Sequence, residues 1–507
     1  MSSTSPKGKW ERTNLRLPAV QNHTNDSTSR PSSMASGASN ATAAASREDY
    51  LCLPPALDSS TILADNDDDD DEHDVSVNHH VEQQQHSLTT NRRQAQHSIA
   101  LDRYLSSLPQ LAASTQQLLQ QQQHTLITST NSGRVINVLQ GEMAHCTPAQ
   151  ADVLVSDDAT TCHILGLWSC CTSGVGDSKL ATLAHIDGPG YDACIRDAVD
   201  LHYQYHSSKL SSLQQHQQQQ QQQTQLNQGN DTTNTLPIIQ LSIHLMGGYN
   251  DDDGTSLEIT QGVLRALSNA SHYYVNTQQQ QQQQQQQPRM QLVVQTCAVS
   301  SANDNGSGCP IGRGLALDVN YGTVYLAEVQ EQQEDVESSS SSSGVITSAQ
   351  GPDCLLRQTR LWASFLFHFE DNCDNDSHHK DSQMNKRRLQ IIHHPNSNYL
   401  SISPFYFAPH PFPHRMLALN DALLLQYTSS SPEVEKDNFV RHVRETFRYM
   451  NRNSCFHVFQ KKKNANKNND VEEEDEQDDG WHVRWEDNDY LPRRYRRVGL
   501  NGWVAVV

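Results

Sequence analysis

Seven consecutive glutamines at Gln217–Gln223 and ten more at Gln278–Gln287 limit what this chain can fold into. Such runs carry no apolar period, so they cannot bury enough surface to offset the entropy of ordering them. A serine run, Ser338–Ser343, and an Asn/Asp/His-rich stretch, Asn372–Asp381, repeat the pattern. A loop absorbs extra length at only about 0.6 kcal/mol per doubling, whereas a strand or helix is broken by it. The runs are therefore expected in surface loops between the elements of one interrupted domain. Length alone would allow two or three domains at roughly 100–200 residues each. With only 35% hydrophobic and 6% aromatic residues, the chain favours the single domain.

The expected organisation is a mostly disordered region over 1–125, a folded domain over 130–455 and a charged linker with a C-terminal segment over 456–507. Inserts fall near 206–234, 276–289, 329–351 and 370–388. Within the first region Tyr104–Leu119 reads as a short helix.

The formal charge of −21, from 37 basic and 58 acidic residues, argues against nucleic-acid binding, which needs Lys and Arg in excess. The acidic blocks Asp67–Glu72 and Glu472–Glu476 read as solvated tails. Eleven cysteines without a C-x-x-C pair give neither a complete disulfide framework nor a zinc spacing, which points to reduced thiols in the cytoplasm or nucleus. The first residues carry no apolar run, and no stretch of about 18 apolar residues occurs anywhere, so neither a secretion signal nor a membrane span is expected.

From Gly133 onward the pattern changes. R-V-I-N-V-L-Q, A-D-V-L-V-S, C-H-I-L-G-L-W and L-A-T-L-A-H are short runs rich in Val, Ile and Leu separated by polar joints, as strands are. Tyr191–Leu213 carries Ile195, Val199 and Tyr203 at helical spacing. I-I-Q-L-S-I-H-L-M, L-V-V-Q-T-C-A-V, R-G-L-A-L-D-V and T-V-Y-L-A-E-V predict further strands, with a helix over Leu257–Leu267 and a hairpin turn at Asn320–Gly322. Tyr399–Phe407 reads as a strand, P-F-P-H as a rigid corner, Phe439–Met450 as an amphipathic helix, and W-H-V-R-W and G-W-V-A-V-V as terminal strands. The fold class that follows is α/β (α+β), a mixed sheet or sandwich carrying helices and interrupted by low-complexity loops.

The chemistry concentrates at V-S-D-D-A-T-T-C-H-I, Val155–Ile164. A free cysteine at the head of a strand is ordinarily core. A nucleophilic one needs a histidine in reach and backbone N–H groups placed for an oxyanion. Neighbouring residues of a strand point to opposite faces, so His163 faces away from Cys162, while His185, closing L-A-T-L-A-H, can lie beside it. His185 is the expected base. Ser156 or Asp187 can orient its imidazole, and the sequence leaves that choice open. Asp157 and Asp158 read either as turn formers or as carboxylates that pair with a substrate ammonium. A metal at Cys162 and His163 is disfavoured, since adjacent strand residues cannot both turn to one ion, and His393–His394 and His410–His414 lie among prolines. No cofactor is expected.

S-D-D-A-T-T-C-H closely resembles the corresponding stretch of the eukaryotic protein N-terminal asparagine amidohydrolases. H-L-M-G-G-Y-N-D, P-F-P-H and F-V-R-H-V-R-E-T-F follow in the family's order. The resemblance spans about Gly133–Met450, with gaps at every low-complexity insert. It implies an α/β sandwich similar to cysteine-dependent bacterial glutamine deamidases and deamidating toxins. It further implies Cys162 as nucleophile, His185 as base, and conversion of a protein's N-terminal Asn to Asp through a thioester. The product would be a destabilising residue of the N-degron pathway, which ends in ubiquitin-dependent degradation, and the implied partners are proteins or peptides beginning with Asn. Ser156 stands as third catalytic group, and Asp157, Asp158, Thr161 and Asp251 as substrate-binding residues. The rival readings are an internal glutamine deamidase or transglutaminase of the same chemistry, and a non-catalytic interaction protein.

Overall fold

The computed structural model describes residues 97–121, 124–128, 133–171, 178–223, 237–251, 253–281, 288–306, 308–330, 346–347, 350–367, 388–462, 490–500 and 502–506. The acidic blocks, Ser338–Ser343, Asn372–Asp381 and W-H-V-R-W lie outside these residues.

Two sheets face each other. The first, of five strands, runs β1 (Thr125–Ile127), β10 (Val324–Val329), β9 (Arg313–Asp318), β4 (Val153–Ala159), β2 (Val135–Asn137). The second, of six, runs β12 (Gln390–His393), β3 (Glu142–Cys146), β6 (Lys179–Ile186), β5 (His163–Cys171), β7 (Ile238–Gly247), β8 (Arg289–Ala298). Both mix parallel and antiparallel pairs. Between them lies one core, in which Leu154, Leu315, Leu317 and Leu326 meet Ile164, Ala181, Leu183 and Met246. This is the expected mixed α/β architecture.

The outer face of the six-stranded sheet is covered by helices. Helix α1 spans 97–106 and α2 Pro109–Leu119; α3 is Asp192–Gln223 and α4 Thr255–Gln281. Ile195, Val199, Val263 and Leu267 pack there on Leu165, Leu167, Leu241 and Ile243. Helix α2 docks on β8, where Thr115 Oγ1 accepts from Cys297 N at 2.9 Å and Leu111 and Leu118 are buried. Residues 97–106 and 109–119 are thus helical, inside the region expected to be mostly disordered up to 125. The glutamine run Gln217–Gln223 extends α3 and the run from Gln278 extends α4 to Gln281, where loops were expected. Glutamine is a good helix former, and a helix already nucleated by packing propagates into such a run.

A third sheet, β11 (Ile346–Thr347), β15 (Gly502–Val506), β14 (Arg493–Val498), β13 (Tyr399–Ile402), takes the C-terminal strand. The predicted strand over Tyr399–Phe407 stops at Ile402. P-F-P-H is not a corner but the start of helix α6, after α5 (Cys354–Phe367): Pro411–Leu417 begins with proline at the first turn, where its missing N–H costs nothing, and His410 caps it by accepting from Phe412 N at 3.2 Å. Helices α7 (Asp421–Thr428) and α8 (Phe439–Arg452) follow, and Val443, Phe447 and Met450 bury the apolar face of α8 as its spacing predicts. Strand β3 was not foreseen. It is held by a buried ion pair, in which Arg357 of α5 donates to Glu142 at 2.9 and 2.5 Å. Among the described residues no helix is long and apolar enough to cross a membrane.

Candidate active site

The register of β5 on β6 places Ile164 opposite His185 and His163 opposite Ile186. Residues directly opposite share a face, and Cys162, two positions before Ile164, shares it too. Cys162 and His185 therefore stand as diagonal neighbours on the face turned toward the five-stranded sheet. His163 points the other way, where its Nε2 meets Thr260 Oγ1 of α4 at 2.7 Å. The alternation that assigned the two histidines from sequence is the one the sheet adopts.

His185 is met from the opposite sheet. Ser156 of β4 donates its hydroxyl to Val138 O at 2.7 Å, and the same Oγ lies 2.8 Å from His185 Nδ1. With its hydrogen committed to a carbonyl, Ser156 Oγ can only accept, so His185 carries its proton on Nδ1. That leaves Nε2 as a bare lone pair, and it is buried without a partner. Asp187, the other candidate to orient the ring, instead accepts from Tyr191 Oη at 2.5 Å.

The dyad rests neutral. Burial, reinforced by the negative charges of Asp187 and Glu435, pushes the Cys162 thiol up to about 12, against the opposing hydrogen bond of Thr161. Burial lowers His185 to about 4, although Asp157 pulls the other way. Gly248 N donates to Cys162 O at 2.9 Å, and Gly247, at φ +113°, passes so close that a Cβ would stand 2.2 Å from that oxygen. The two glycines of H-L-M-G-G are thus what lets β7 end against the Cys162 backbone.

Asp157 and Asp158 are not turn formers. They form a bulge within β4, where the register on β9 shifts between Ser156 and Ala159 and Asp158 takes φ +57°. Such bulges re-aim side chains. Asp157 is fully engaged: Oδ1 accepts from Asp158 N at 2.8 Å, and Oδ2 accepts from Val329 N at 2.9 Å and Lys436 Nζ at 2.8 Å. Asp158 meets the same ammonium through Oδ1 at 2.9 Å, and its side chain is 51% exposed. Burial, then the charge of Asp157, raises its carboxyl to about 6. Thr161 Oγ1 lies 3.2 Å from Ser430 Oγ, which ties the turn before Cys162 to the segment between α7 and α8. Asp251 serves as a helix cap, accepting from Thr255 N and Ser256 N at the start of α4 at 2.8 and 3.1 Å, and Ser256 Oγ in turn donates to Thr161 O at 3.4 Å.

Lys436, Glu328, Glu435 and Ser430 were missed in the sequence. Lys436 lies 279 positions from Asp157, and nothing in S-S-P-E-V-E-K marks it. Of the other histidines weighed as ligands, His393 Nδ1 meets His145 O at 3.0 Å and Cys146 Sγ at 3.3 Å, and His394 Nδ1 accepts from Asn396 N at 3.2 Å. Among the described residues no three His, Cys, Asp or Glu side chains converge as metal ligands would.

A thiol and an imidazole on one inner face of a mixed α/β sandwich, with the imidazole oriented from the facing sheet, are the parts of a cysteine-dependent hydrolase. The sequence comparison narrows that class: residues 125–474 match the family described as protein N-terminal asparagine amidohydrolase, and the chain belongs to that family. It is 23% identical over 321 residues to the protein N-terminal asparagine amidohydrolase of Sus scrofa, covering 62% of this chain and 74% of that protein. The Homo sapiens protein of the same name is 22% identical over the same length and coverage.

Proposed function

We propose that this protein converts the N-terminal asparagine of proteins and peptides to aspartate, with Cys162 as nucleophile and His185 as base. The observation that carries the reading is the tautomer: Ser156 holds the proton on Nδ1 and leaves Nε2 unpaired on the thiol's face. His185 Nε2 takes the thiol proton as the sulfur attacks the side-chain amide carbon. The tetrahedral adduct collapses with loss of ammonia, which leaves with the proton returned by His185. The resulting thioester is hydrolysed by a water that the same imidazole deprotonates, releasing Asp and the thiol. The N–H of Cys162 and neighbouring N–H groups of the 160–162 turn hold the oxyanion in both halves.

The charge distribution supports reading of the chain terminus. Asp158 has an oxygen beyond the one on Lys436 and is half exposed, whereas both oxygens of Asp157 and of Asp251 are engaged by backbone. Asp158 is the carboxylate we assign to the α-ammonium. A positive charge bound there offsets the negative charges of Asp187 and Glu435, which add to burial in keeping Cys162 protonated, so the nucleophile is activated best by a substrate with a free terminus. An internal Asn or Gln brings no such charge. The product, an N-terminal Asp, feeds the N-degron pathway, and the partners are proteins that expose Asn at their start.

The test is mass spectrometry of paired peptides incubated with the purified chain. Asn-starting peptides should gain the mass of amide-to-acid conversion and release ammonia. Their acetylated forms and peptides with internal Gln should not, and equal turnover of blocked peptides would replace this reading with an internal deamidase.

A further inference from the structure

We propose that Lys436 is a positioning residue for this reaction: its single ammonium, presented from the segment between α7 and α8, binds Asp157 and Asp158 together and holds Asp158 as the anion that reads the substrate's terminus. The inference rests on the function proposed above.

The geometry is specific. Lys436 Nζ lies 2.8 Å from Asp157 Oδ2, 2.9 Å from Asp158 Oδ1 and 3.7 Å from Glu328 Oε1. Its backbone is fixed where α8 begins, since Phe439 N donates to Lys436 O at 2.9 Å. The neighbouring Glu435 is held separately, accepting from Ser429 Oγ. Near these groups, His185 Nε2 is buried without a hydrogen-bond partner among the described residues.

Four carboxylates, Asp157, Asp158, Glu328 and Glu435, thus surround one lysine. Two adjacent strand residues with like charges repel, and φ +57° at the second is uncommon outside glycine but tolerated by aspartate better than by most residues. Lys436 offsets the repulsion by meeting both carboxylates. It engages Asp157 and one oxygen of Asp158, which leaves the cluster with net negative charge and the second oxygen of Asp158 outside this ion pair.

The charges facing Asp158 act in opposite directions. Asp157 and Glu328 favour its protonated form, and Lys436 opposes them. Burial keeps its carboxyl near 6, so the ammonium reader is ionised at neutral pH and is lost as pH falls through that value. His185, lowered to about 4, titrates below this window, and Glu435 and Asp251, both raised by burial, are the other carboxylates that can overlap it.

The experiment titrates Asp158 directly in the full chain. Carboxyl signals of 13C-labelled aspartate are followed against pH, with Asp158 assigned by its loss in Asp158→Asn, and the acidic limb of kcat/KM for an Asn-starting peptide is recorded in parallel. Lys436→Met should move the Asp158 midpoint upward by about one unit, a tenfold change in proton affinity. Lys436→Arg should restore it. Glu328→Gln, a change at a half-exposed side chain that keeps the shape, should move the midpoint downward. The acidic limb should follow in each case. An Asp158 midpoint that Lys436→Met does not move, or that Lys436→Arg leaves where Lys436→Met puts it, overturns the inference. Should Lys436→Met fail to fold, Lys436→Gln takes its place, and an Asp158 midpoint that does not rise there overturns the inference equally. A wild-type protein inactive on every Asn-starting peptide would overturn the proposed function, and the carboxyl titration would still judge Lys436.

Discussion

Ser156 and His185 belong to facing sheets, and the 2.8 Å contact between Oγ and Nδ1 is the bond that sets which imidazole nitrogen is free. Ser156→Ala removes the acceptor that holds the Nδ1 proton and leaves Val138 O without its donor. The ring then loses both its tautomer and its orientation. We expect kcat to fall by about 10²-fold, the lower end of what general base catalysis contributes, with KM little changed. Steady-state kinetics on an Asn-starting peptide measure it. An unaltered kcat would remove Ser156 from the reaction.

Cys162→Ala and Cys162→Ser should both abolish turnover while retaining the fold, since a hydroxyl is a far poorer nucleophile than a thiolate. The free enzyme should also resist alkylation. The thiol sits near 12, so at neutral pH it is protonated, and its reaction with iodoacetamide should be slow and accelerate steadily as pH rises. Peptide mapping of the alkylated residue against pH reads this. Rapid labelling of Cys162 at neutral pH would mean that a thiolate exists before substrate binds.

Much of this site was legible in the sequence because strand geometry is simple. Alternation along C-H-I-L-G-L-W separates Cys162 from His163, and two short strands suffice to bring His185 beside the thiol. Strand β3 escaped because E-M-A-H-C has neither alternation nor β-branched residues, and what fixes it is a buried Glu142–Arg357 pair spanning 215 positions. Lys436 escaped for the same reason. A lysine after E-V-E reads as surface, and only the approach of the segment between α7 and α8 to the β4 bulge gives it partners. The glutamine runs misled in the other direction, since composition marks an insertion but does not say whether the helix before it ends there.

Gly247→Ala tests the close approach of β7 to the nucleophile. At φ +113° an alanine is strained by about 1–3 kcal/mol, and its Cβ would overlap Cys162 O. The Cys162 backbone must move, so turnover should collapse and thermal unfolding should occur at lower temperature. Wild-type activity and melting together would show that this contact is not needed.

The outer face of the six-stranded sheet holds a second set of imidazoles with a consequence for acid stability. His145 Nδ1 meets Thr182 Oγ1 at 2.7 Å, His202 bridges Thr182 and Ser169 at 2.8 and 2.6 Å, and His206 bridges Ser169 and Ser178 at 2.7 and 2.9 Å. Burial lowers His145 to about 3 and His206 to about 4, and puts His202 well below its ordinary value. The unfolded chain binds these protons near 6.5, before the folded one does, so the stabilisation is complete above about 6.5 and is lost as pH falls toward 4. Urea unfolding at a series of pH values should show midpoints falling steadily from pH 7 to 4.5. A flat profile would contradict the burial of these rings.

Asp157 and Asp158 are adjacent in sequence and touch the same lysine, yet the bulge gives them different tasks, and substitution should separate them. Asp157→Asn leaves an amide where Val329 N and Asp158 N need acceptors and where Lys436 needs a charge, so its effect should appear first in stability. Asp158→Asn keeps the shape of an exposed side chain that makes one ion pair, so the fold should hold and the loss should fall on recognition. A fully desolvated carboxylate facing an ammonium would be worth roughly 3–5 kcal/mol, but solvent screening at this half-exposed position reduces that. We expect kcat/KM for a free-amine peptide to drop by at least about tenfold, or ~1.4 kcal/mol, in Asp158→Asn. The residual rate on an acetylated peptide should be the same for wild type and Asp158→Asn, because the variant has lost only what the acetyl group already removes. If Asp158→Asn discriminates free from blocked termini as well as the wild type does, Asp158 is not the reader, and the ammonium must be bound by Glu435 or Asp251.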